Sequence, residues 1–165
     1  PQSSLRDIIK NSDNIGMSAI IQKIGLDSFL KYFHLLGLDH KTGIDLVGEV
    51  KPPFKKYWSP FELATASFGQ GFAVSQIQVV AAFNTLANNG NLSKPRIVNH
   101  FSQGQQNIFP KPMVTKKVFQ PSSVDTVREI LKYSVENGAV AALKPNGLEV
   151  CAKSGTAQVA ALGGR

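Results

Sequence analysis

The sequence predicts an α+β fold in which helices come first and most of the sheet comes last. Amphipathic helical patterns recur between residues 15 and 90, and each one ends at or close to a glycine. Near the end of the chain, residues 148–153 (LEVCAK) alternate between apolar and polar side chains, which is typical of a strand. Helices grouped ahead of strands are typical of the α+β class.

The composition is that of one globular domain. The 165 residues are 42% hydrophobic and 18% charged, which is enough apolar material to bury a core. The net charge of +7 is spread along the chain without a basic block or a nucleic-acid-binding motif, so no nucleic-acid partner is predicted. No apolar run approaches the roughly 20 residues of a membrane helix, and the first four residues do not resemble a signal peptide. Any membrane anchor is therefore expected outside this chain.

The cysteine and histidine residues do not predict a metal or redox site. Cys151 is the single cysteine, so no internal disulfide can form, and a buried structural thiol is expected. His34, His40 and His100 lack a His-x-x-x-His spacing and have no partner cysteines. The sequence therefore predicts neither a metal nor a cofactor.

Two amphipathic helices are predicted in the first quarter of the chain. The first covers residues 15–24 and ends at Gly25; its apolar side chains are Ile15, Ala19, Ile20 and Ile24. The second covers residues 27–36 and ends at Gly37; its apolar face is formed by Phe29, Leu30, Phe33 and Leu36. Residues 38–57 are rich in glycine and proline and predict an ordered loop with little helix.

Two capping boxes predict the next helices. Ser59 precedes Glu62 by three residues, and Ser75 precedes Gln78 by the same spacing. Between these helices, Ser67-Phe68-Gly69-Gln70-Gly71 predicts a turn whose glycines allow close backbone packing.

The middle of the chain carries shorter patterns. Residues 95–100 (PRIVNH) predict a strand, and residues 102–107 (SQGQQN) predict a hairpin or loop. An amphipathic pattern at residues 123–136, ended by Asn137-Gly138, predicts a further helix.

Two short polar motifs stand far apart in the sequence. Ser12-Asp13-Asn14 precedes the first predicted helix and, taken alone, is most simply a helix cap. Lys153-Ser154-Gly155, taken alone, is most simply a strand end entering a turn. The two together in this order are rare by chance in a chain of this length. They match two of the three parts of a serine acyl-transfer site, whose first part is Ser-x-x-Lys.

Longer stretches extend this match. GLDHKTGIDLVGEV, ELATASFGQGFAVSQIQVVAAFNTLANNG and AKSGTAQVA resemble the transpeptidase domain of class B penicillin-binding proteins, of the division or elongation type. The resemblance implies a penicillin-binding protein/serine β-lactamase-like transpeptidase fold that is incomplete here, with a helical subdomain and part of the antiparallel sheet. It also implies that residues 1–165 form part of one transpeptidase domain.

The first part of the site is expected outside the chain. One serine precedes a lysine by three residues, at Ser28-Phe29-Leu30-Lys31, but it lies inside the second predicted helix and follows Ser12 in the sequence. The resemblance implies that the catalytic Ser-x-x-Lys lies upstream of Pro1 and that further strands and a C-terminal helix follow Arg165. This chain alone is therefore expected to be inactive.

The resemblance implies catalytic roles for Ser12 and Lys153. In the family pattern, Ser12 bridges the upstream lysine and Lys153, and its hydroxyl relays a proton to the leaving D-alanine amine. Lys153 supplies positive charge beside Ser12 and toward the terminal carboxylate of the substrate. Asn14 binds the amide backbone of the substrate, whereas Asp13 supports the start of the helix.

The same pattern implies substrate-binding roles for the residues after Lys153. The hydroxyls of Ser154 and Thr156 bind the substrate carboxylate, and the backbone N–H of Thr156 is one oxyanion donor. Gly155 has no side chain, so the peptide can lie against the chain there as an added strand.

The implied activity is that of a D,D-transpeptidase. Such an enzyme cross-links peptidoglycan stem peptides ending in D-Ala-D-Ala through a serine acyl-enzyme, and β-lactam antibiotics acylate it. The implied location is the outer face of the cytoplasmic membrane, periplasmic or extracellular, with an anchor outside this chain and divisome or elongasome proteins as partners. Two alternatives remain open: a serine β-lactamase, which hydrolyses its acyl-enzyme, and a non-catalytic scaffold domain of the same fold.

Overall fold

The structure is a computed structural model that describes residues 3–111, 113–139 and 141–157, without the side chains of residues 114, 115 and 143. Its helices are α1 (Leu5–Lys10), α2 (Asn14–Ile24), α3 (Leu26–Leu35), α4 (Pro60–Ala66), α5 (Gln76–Ala87) and α6 (Pro121–Asn137), with a 3₁₀ turn at Ala141–Leu143. Its strands are β1 (Asn91–Ser93), β2 (Phe101–Gln103), β3 (Gln106–Ile108) and β4 (Val114–Lys117). Within the described residues, no helix is long and apolar enough to cross a membrane.

Two compact units interleave along the chain. One consists of Pro1–Leu26, Lys55–Phe72 and Thr126–Arg165, and the other of Asp27–Phe54 and Ala73–Asp125. The first unit holds α1, α2, α4 and most of α6, whereas the second holds α5, strands β1 to β4 and nearly all of α3. Because each unit draws on separate stretches of chain, the two are not consecutive domains.

The strands form two short antiparallel pairs. β1 pairs with β4, with Asn91 opposite Lys117, and β2 pairs with β3, with Phe101 opposite Ile108. The second pair is the hairpin that the SQGQQN stretch predicts. Helices combined with antiparallel strands confirm the α+β class. Both pairs lie in the middle of the chain, however, so the expectation of a late sheet is wrong for the described residues.

The first two helices differ in part from the sequence prediction. Helix α1 is absent from the sequence prediction; it is capped by Ser4, whose Oγ accepts a hydrogen bond from the Asp7 N–H at 3.3 Å. Helix α2 has the predicted position, but its buried side chain is Ile21, whereas Ile15 is 83% exposed and Ile24 is 49% exposed. Because α2 packs against α1 and α4, these neighbours decide which of its faces is buried.

Helices α3 and α6 bury the faces that their patterns predict. Phe33 is buried in α3, and Phe29 packs against it with ring centroids 5.7 Å apart. In α6 the buried apolar side chains are Val124, Ile130, Leu131 and Val135. These two helices were recognisable from sequence because their apolar residues recur at helical spacing on one side.

Both predicted capping boxes form. Ser59 Oγ accepts from the Glu62 N–H at 3.2 Å, and Glu62 Oε2 accepts from the Ser59 N–H at 2.8 Å. Lys55 Nζ donates to Glu62 Oε1 at 2.6 Å. The hydrogen bonds from Lys55 and Ser59 lower the pKa of Glu62 from 4.5 to about 2.

Acidification should therefore weaken the start of α4. The pKa of Glu62 is lower in the folded state than its usual 4.5, so the ionised carboxylate stabilises the fold above that pH. This contribution is lost as the pH falls toward about 2. We expect Glu62→Gln to be less stable than wild type at about pH 5.5 and closer to it at about pH 3, as measured by urea unfolding. A difference in unfolding free energy that stays constant between the two pH values contradicts this.

The core of the second unit lies between α5 and the β1–β4 pair. Ala81, Leu92 and Val118 are buried together, and partly buried Leu35, Leu36 and Phe119 pack against them. Gln78 of the second capping box is 2% exposed; its Oε1 accepts from the Ser75 N–H at 2.8 Å. Its Nε2 donates to the carbonyls of Gly37, Leu38 and His40 at 3.0, 3.2 and 2.8 Å. This amide therefore ties the loop after α3 to α5.

The loop at residues 38–57 is ordered and lacks helix, as its composition predicted. The carboxylate of Glu49 holds it in place. Glu49 Oε1 accepts from both the N–H and the hydroxyl of Thr42 at 2.6 Å, and Oε2 accepts from the Gly43 N–H at 2.9 Å. Charge-assisted bonds of this kind are stronger than neutral ones. The loop therefore has a defined path without helix or strand.

The predicted strand at residues 95–100 is wrong, and Asp45 gives the reason. The two carboxylate oxygens of Asp45 accept from the backbone N–H groups of Ile97 and Val98, at 2.6 and 3.0 Å. Pro95 has no backbone N–H to offer. The N–H groups that a strand would use to pair with a neighbouring strand thus donate to a side chain instead. The strand that does form nearby is β1, which ends at Ser93.

The predicted strand at residues 148–153 is also wrong. Lys132 of α6 donates from Nζ to Glu149 Oε1 at 2.5 Å, and Cys151 Sγ donates to the Arg128 carbonyl oxygen at 3.4 Å. A strand needs a neighbouring backbone, and in the described part of the chain this segment lies beside a helix instead. Cys151 is exposed, which corrects the expectation of a buried thiol.

The turn after α4 is confirmed, although its glycines serve another purpose than the one predicted. Gly69 and Gly71 have φ values of 90° and 83°. A Cβ on Gly69 would meet nothing within 4 Å, and a Cβ on Gly71 would lie 3.6 Å from the Thr65 hydroxyl, which is ordinary contact. Glycine is therefore needed here for its dihedral freedom and not for close packing.

Candidate active site

Ser12 lies in the turn that joins α1 to α2. The N–H groups of Ser12 and Asp13 donate to the carbonyls of Ile9 and Ile8, at 3.2 and 2.9 Å. Ser12 has a φ of 53°, a left-handed conformation that is uncommon for a residue with a side chain. Such conformations persist only where the surrounding structure enforces them, and they are concentrated at functional sites.

Asp13, and not Ser12, caps helix α2. Asp13 Oδ1 accepts from the N–H groups of Ile15 and Gly16, at 3.0 and 3.1 Å. The expectation that Asp13 supports the start of the helix is confirmed by these bonds. Because Asp13 satisfies the first turn, the hydroxyl of Ser12 is not needed as a cap.

The Ser12 hydroxyl contacts Lys153. Lys153 Nζ donates to Ser12 Oγ at 2.5 Å, which joins residues 141 positions apart in the chain. The same Nζ donates to the Ser154 carbonyl oxygen at 3.0 Å. The first of these is a short charge-assisted hydrogen bond between the two sequence motifs. The structure therefore brings both motifs into one place.

An open cleft of about 370 Å³ lies beside this contact. Ser12, Ser154 and Lys10 line it, and the rest of its wall consists of Asn11, Ser134, Asn137, Gly138, Ala139 and Ala152. Lys10 Nζ lies 3.5 Å from Asp7 Oδ1, so part of its charge is balanced. A volume of this order suits a small ligand, and the nearby lysines favour an anionic one.

The other predicted site residues lie next to this contact in the chain. Asn14 is the first residue of α2 and is exposed, and its backbone carbonyl accepts from the Ser18 hydroxyl at 2.8 Å. Gly155 and Thr156 follow Ser154 in a segment without helix or strand, and both are exposed. Residues 158–160, which end the AKSGTAQVA stretch, lie outside the described residues.

Ser28 belongs to a different part of the fold. It is half-buried in α3 and falls in the second unit, whereas Ser12 and Lys153 fall in the first. Lys31, its apparent partner, lies with Nζ 5.9 Å from the Tyr32 ring centroid. The predicted place of Ser28 in a helix is confirmed, whereas the expectation that it is not the nucleophile stays a prediction.

Sequence reasoning missed two parts of the cleft wall. Lys10 ends α1, and the signal for that helix was Ser4 followed by Asp7 at capping-box spacing. Gly138 follows α6; a Cβ there would lie 2.3 Å from the Ser134 carbonyl oxygen, so the wall needs a glycine at this point. Asn137-Gly138 was recognised as a helix stop, but its place beside Ser12 depends on the tertiary fold.

Comparison with known proteins identifies the family. A model of the penicillin-binding protein transpeptidase domain matches residues 1–165. The chain belongs to this family. The sequence resemblance to penicillin-binding proteins is thereby confirmed over the whole chain.

Individual relatives agree with this assignment. Stage V sporulation protein D of Bacillus subtilis is 32% identical over 158 residues, which cover 92% of this chain and 24% of the relative. The probable peptidoglycan D,D-transpeptidase PenA of Neisseria gonorrhoeae is 28% identical over 161 residues, which cover 96% of this chain and 26% of the relative. The chain therefore spans about a quarter of the length of these relatives.

A solved structure confirms the fold. The transpeptidase domain of penicillin-binding protein 3 from Burkholderia pseudomallei matches with a TM-score of 0.83 and 26% identity, over 98% of this chain and 47% of that chain. The α+β transpeptidase fold that the resemblance implied for this chain is therefore confirmed, over about half of the length of that solved chain.

Proposed function

We propose that this chain is part of a serine-type peptidoglycan D,D-transpeptidase and supplies the second and third motifs of its acyl-transfer site. The observation that carries the proposal is the 2.5 Å hydrogen bond from Lys153 Nζ to Ser12 Oγ, because it joins the two motifs that this chemistry uses together. Membership of the transpeptidase family supports it. Since the chain spans about a quarter of its relatives, the activity proposed is that of a complete protein.

The nucleophile in this proposal is the serine of a Ser-x-x-Lys segment upstream of Pro1. Its hydroxyl oxygen attacks the carbonyl carbon of the penultimate D-alanine while the lysine of that segment takes the hydroxyl proton. The carbon–nitrogen bond to the terminal D-alanine then breaks. Ser12, held by Lys153, passes its hydroxyl proton to the nitrogen of this leaving group and takes in return the proton that the upstream lysine removed from the nucleophile.

The segment after Lys153 binds the substrate in this proposal. The ammonium group of Lys153 and the hydroxyls of Ser154 and Thr156 hold the terminal carboxylate, and the Thr156 N–H donates to the developing oxyanion. A Cβ on Gly155 would meet nothing within 4 Å, so open space lies beside the backbone where a peptide can align. Asn14, exposed at the start of α2, binds the amide backbone of the stem peptide.

The acyl-enzyme is consumed by the amine of a second stem peptide, which forms the cross-link and frees the serine. A β-lactam imitates acyl-D-Ala-D-Ala through its lactam carbonyl and carboxylate, so it acylates the same serine and is hydrolysed slowly. Stem peptides are exposed outside the cytoplasmic membrane, and the proposal places the complete protein there. Its anchor is a segment outside this chain, and its protein partners belong to the divisome or the elongasome.

The direct test is intact-mass spectrometry after incubation with benzylpenicillin. The complete protein, expressed without its anchor, should gain the mass of one penicillin, and the adduct should persist. The 165-residue chain alone is the control and should gain nothing, since the proposal puts the nucleophile upstream.

Each other outcome contradicts part of the proposal. An adduct that forms and disappears favours a β-lactamase, and a folded complete protein without an adduct favours a non-catalytic scaffold. Labelling of the isolated chain at Ser28 would show that the nucleophile lies within it.

A further inference from the structure

A carboxylate bridges two histidines at the end of α3. Asp39 Oδ2 lies 2.9 Å from His34 Nδ1, and Asp39 Oδ1 lies 2.7 Å from His40 Nδ1. The two imidazole rings are 5.4 Å apart between centroids. One potential ligand atom from each residue lies within 4.8 Å of the other two. Three side chains of types that bind metals thus lie close together, although their spacing in the sequence is not typical of a metal site.

The loop that carries Asp39 and His40 is held in place by its surroundings. Gly37 reverses the chain after α3 with a φ of 75°, and the Leu38 N–H donates to the Phe33 carbonyl at 3.1 Å. The buried Gln78 side chain holds this loop in one position, because its Nε2 donates to three of the loop's carbonyls. The three ligand groups are therefore brought together by the fold before any ion binds, which reduces the ordering cost of binding.

The chemistry of these groups selects a class of ion. Two imidazole nitrogens and one carboxylate oxygen suit Zn²⁺ and neighbouring transition metals, whereas Mg²⁺ and Ca²⁺ prefer oxygen ligands throughout. In a tetrahedral zinc site with bonds of about 2.0–2.1 Å, ligand atoms are separated by roughly 3.3 Å. His34 Nδ1 and His40 Nδ1 lie 2.9 and 2.7 Å from different oxygens of Asp39, so each nitrogen needs to move back by about half an ångström to share one ion with the carboxylate.

The exposure of the histidines allows this adjustment. The His34 side chain is 65% exposed and that of His40 is 44% exposed, whereas that of Asp39 is 19% exposed. Exposed histidines around a more buried carboxylate can move apart without disturbing the core. The exposed side also leaves room for water as a fourth ligand.

We propose that His34, Asp39 and His40 form a binding site for Zn²⁺ or a similar divalent transition metal, located in the second unit and separate from the Ser12–Lys153 contact. The ion would join the last turn of α3 to the loop at residues 38–40. Its role is structural, since binding to the folded state alone stabilises that state. This inference does not depend on the transpeptidase activity.

The test is calorimetric titration of Zn²⁺ into the complete protein after treatment with EDTA and removal of the chelator. Wild type should bind one ion at this site. His40→Gln and His34→Gln should each weaken binding by at least about tenfold. His100→Gln is the matched control, because His100 is an exposed histidine outside the cluster, and its affinity should equal that of wild type.

A second readout guards against loss of folding. Circular dichroism without metal should show the same unfolding temperature for His34→Gln and wild type, since this side chain is largely exposed. Zinc should raise that temperature in wild type and not in the variant. No saturable binding by wild type, or affinities unchanged in both cluster variants, would overturn the proposal. Equal loss in His100→Gln would place the ion elsewhere and overturn it as well.

Discussion

Lys153→Ala in the complete protein should slow acylation by benzylpenicillin by at least about a hundredfold, and Ser12→Ala should do the same. Loss of a positioned acid-base group or of a charge that stabilises the oxyanion usually costs this much. In the structure the two side chains depend on each other, because Lys153 Nζ donates to Ser12 Oγ at 2.5 Å. Either change therefore removes the same contact.

The measurement is the second-order rate constant of acylation, followed by intact mass. Lys23→Ala and Ser102→Ala are matched controls, since both side chains are exposed. Lys23 lies in the last turn of α2, away from Ser12 in the sequence, and Ser102 lies in the second unit. Both should acylate at the wild-type rate. Near wild-type acylation in Lys153→Ala or Ser12→Ala would remove the roles proposed for these residues.

Gly90→Ala should cause the largest loss of stability among the substitutions considered. A Cβ at this position would lie 2.2 Å from the Phe119 carbonyl oxygen and 2.8 Å from its carbon, and Gly90 has a φ of 85°. The Gly90 carbonyl also accepts from the N–H groups of Val118 and Phe119, at 2.8 and 3.1 Å. Backbone cannot move aside as a side chain can, so we expect a loss of about 3 kcal/mol or more.

Urea unfolding of the complete protein measures this loss. Gly104→Ala is the control for backbone strain alone, because Gly104 has a φ of 61° but open space around its Cβ position. It should cost only about 1 kcal/mol. Equal losses in the two variants would mean that the contact with Phe119 contributes nothing.

Helices were predictable from sequence because their signals are local. A capping box needs residues three positions apart, so Ser59 with Glu62 and Ser75 with Gln78 could be read directly. Helix α1 carries a related signal in Ser4 and Asp7, but Leu5, Ile8 and Ile9 show helical spacing over a helix of only 6 residues, which is too short for a repeating pattern. The buried face of α2 was mistaken because it depends on α1 and α4 and not on its own sequence.

Strands were predicted poorly because a strand depends on its partner. Residues 95–100 have a suitable composition, yet Asp45 binds the N–H groups of Ile97 and Val98. Residues 148–153 alternate correctly but lie beside α6, where Lys132 holds Glu149. In neither case does the sequence of the segment show which neighbour it will contact.

The candidate site was predicted from two short sequence motifs and not from the periodicity of apolar residues. Ser12 and Lys153 are 141 positions apart, and no local rule joins them. Their meeting was anticipated because Ser-Asp-Asn and Lys-Ser-Gly serve one chemistry. The cluster of His34, Asp39 and His40 matches no such motif. It can be recognised only in the structure, where the turn at Gly37 and the Gln78 amide bring the histidines together.

The central claim is that Ser12 and Lys153 act as one catalytic unit, and the acylation rate of the double variant tests it most directly. If the hydrogen bond between them carries the function, Ser12→Ala/Lys153→Ala should acylate about as slowly as the slower single variant, because the second change removes nothing further. If the two losses multiply, so that the double variant is slower by roughly ten-thousandfold, the residues act independently and the account is contradicted.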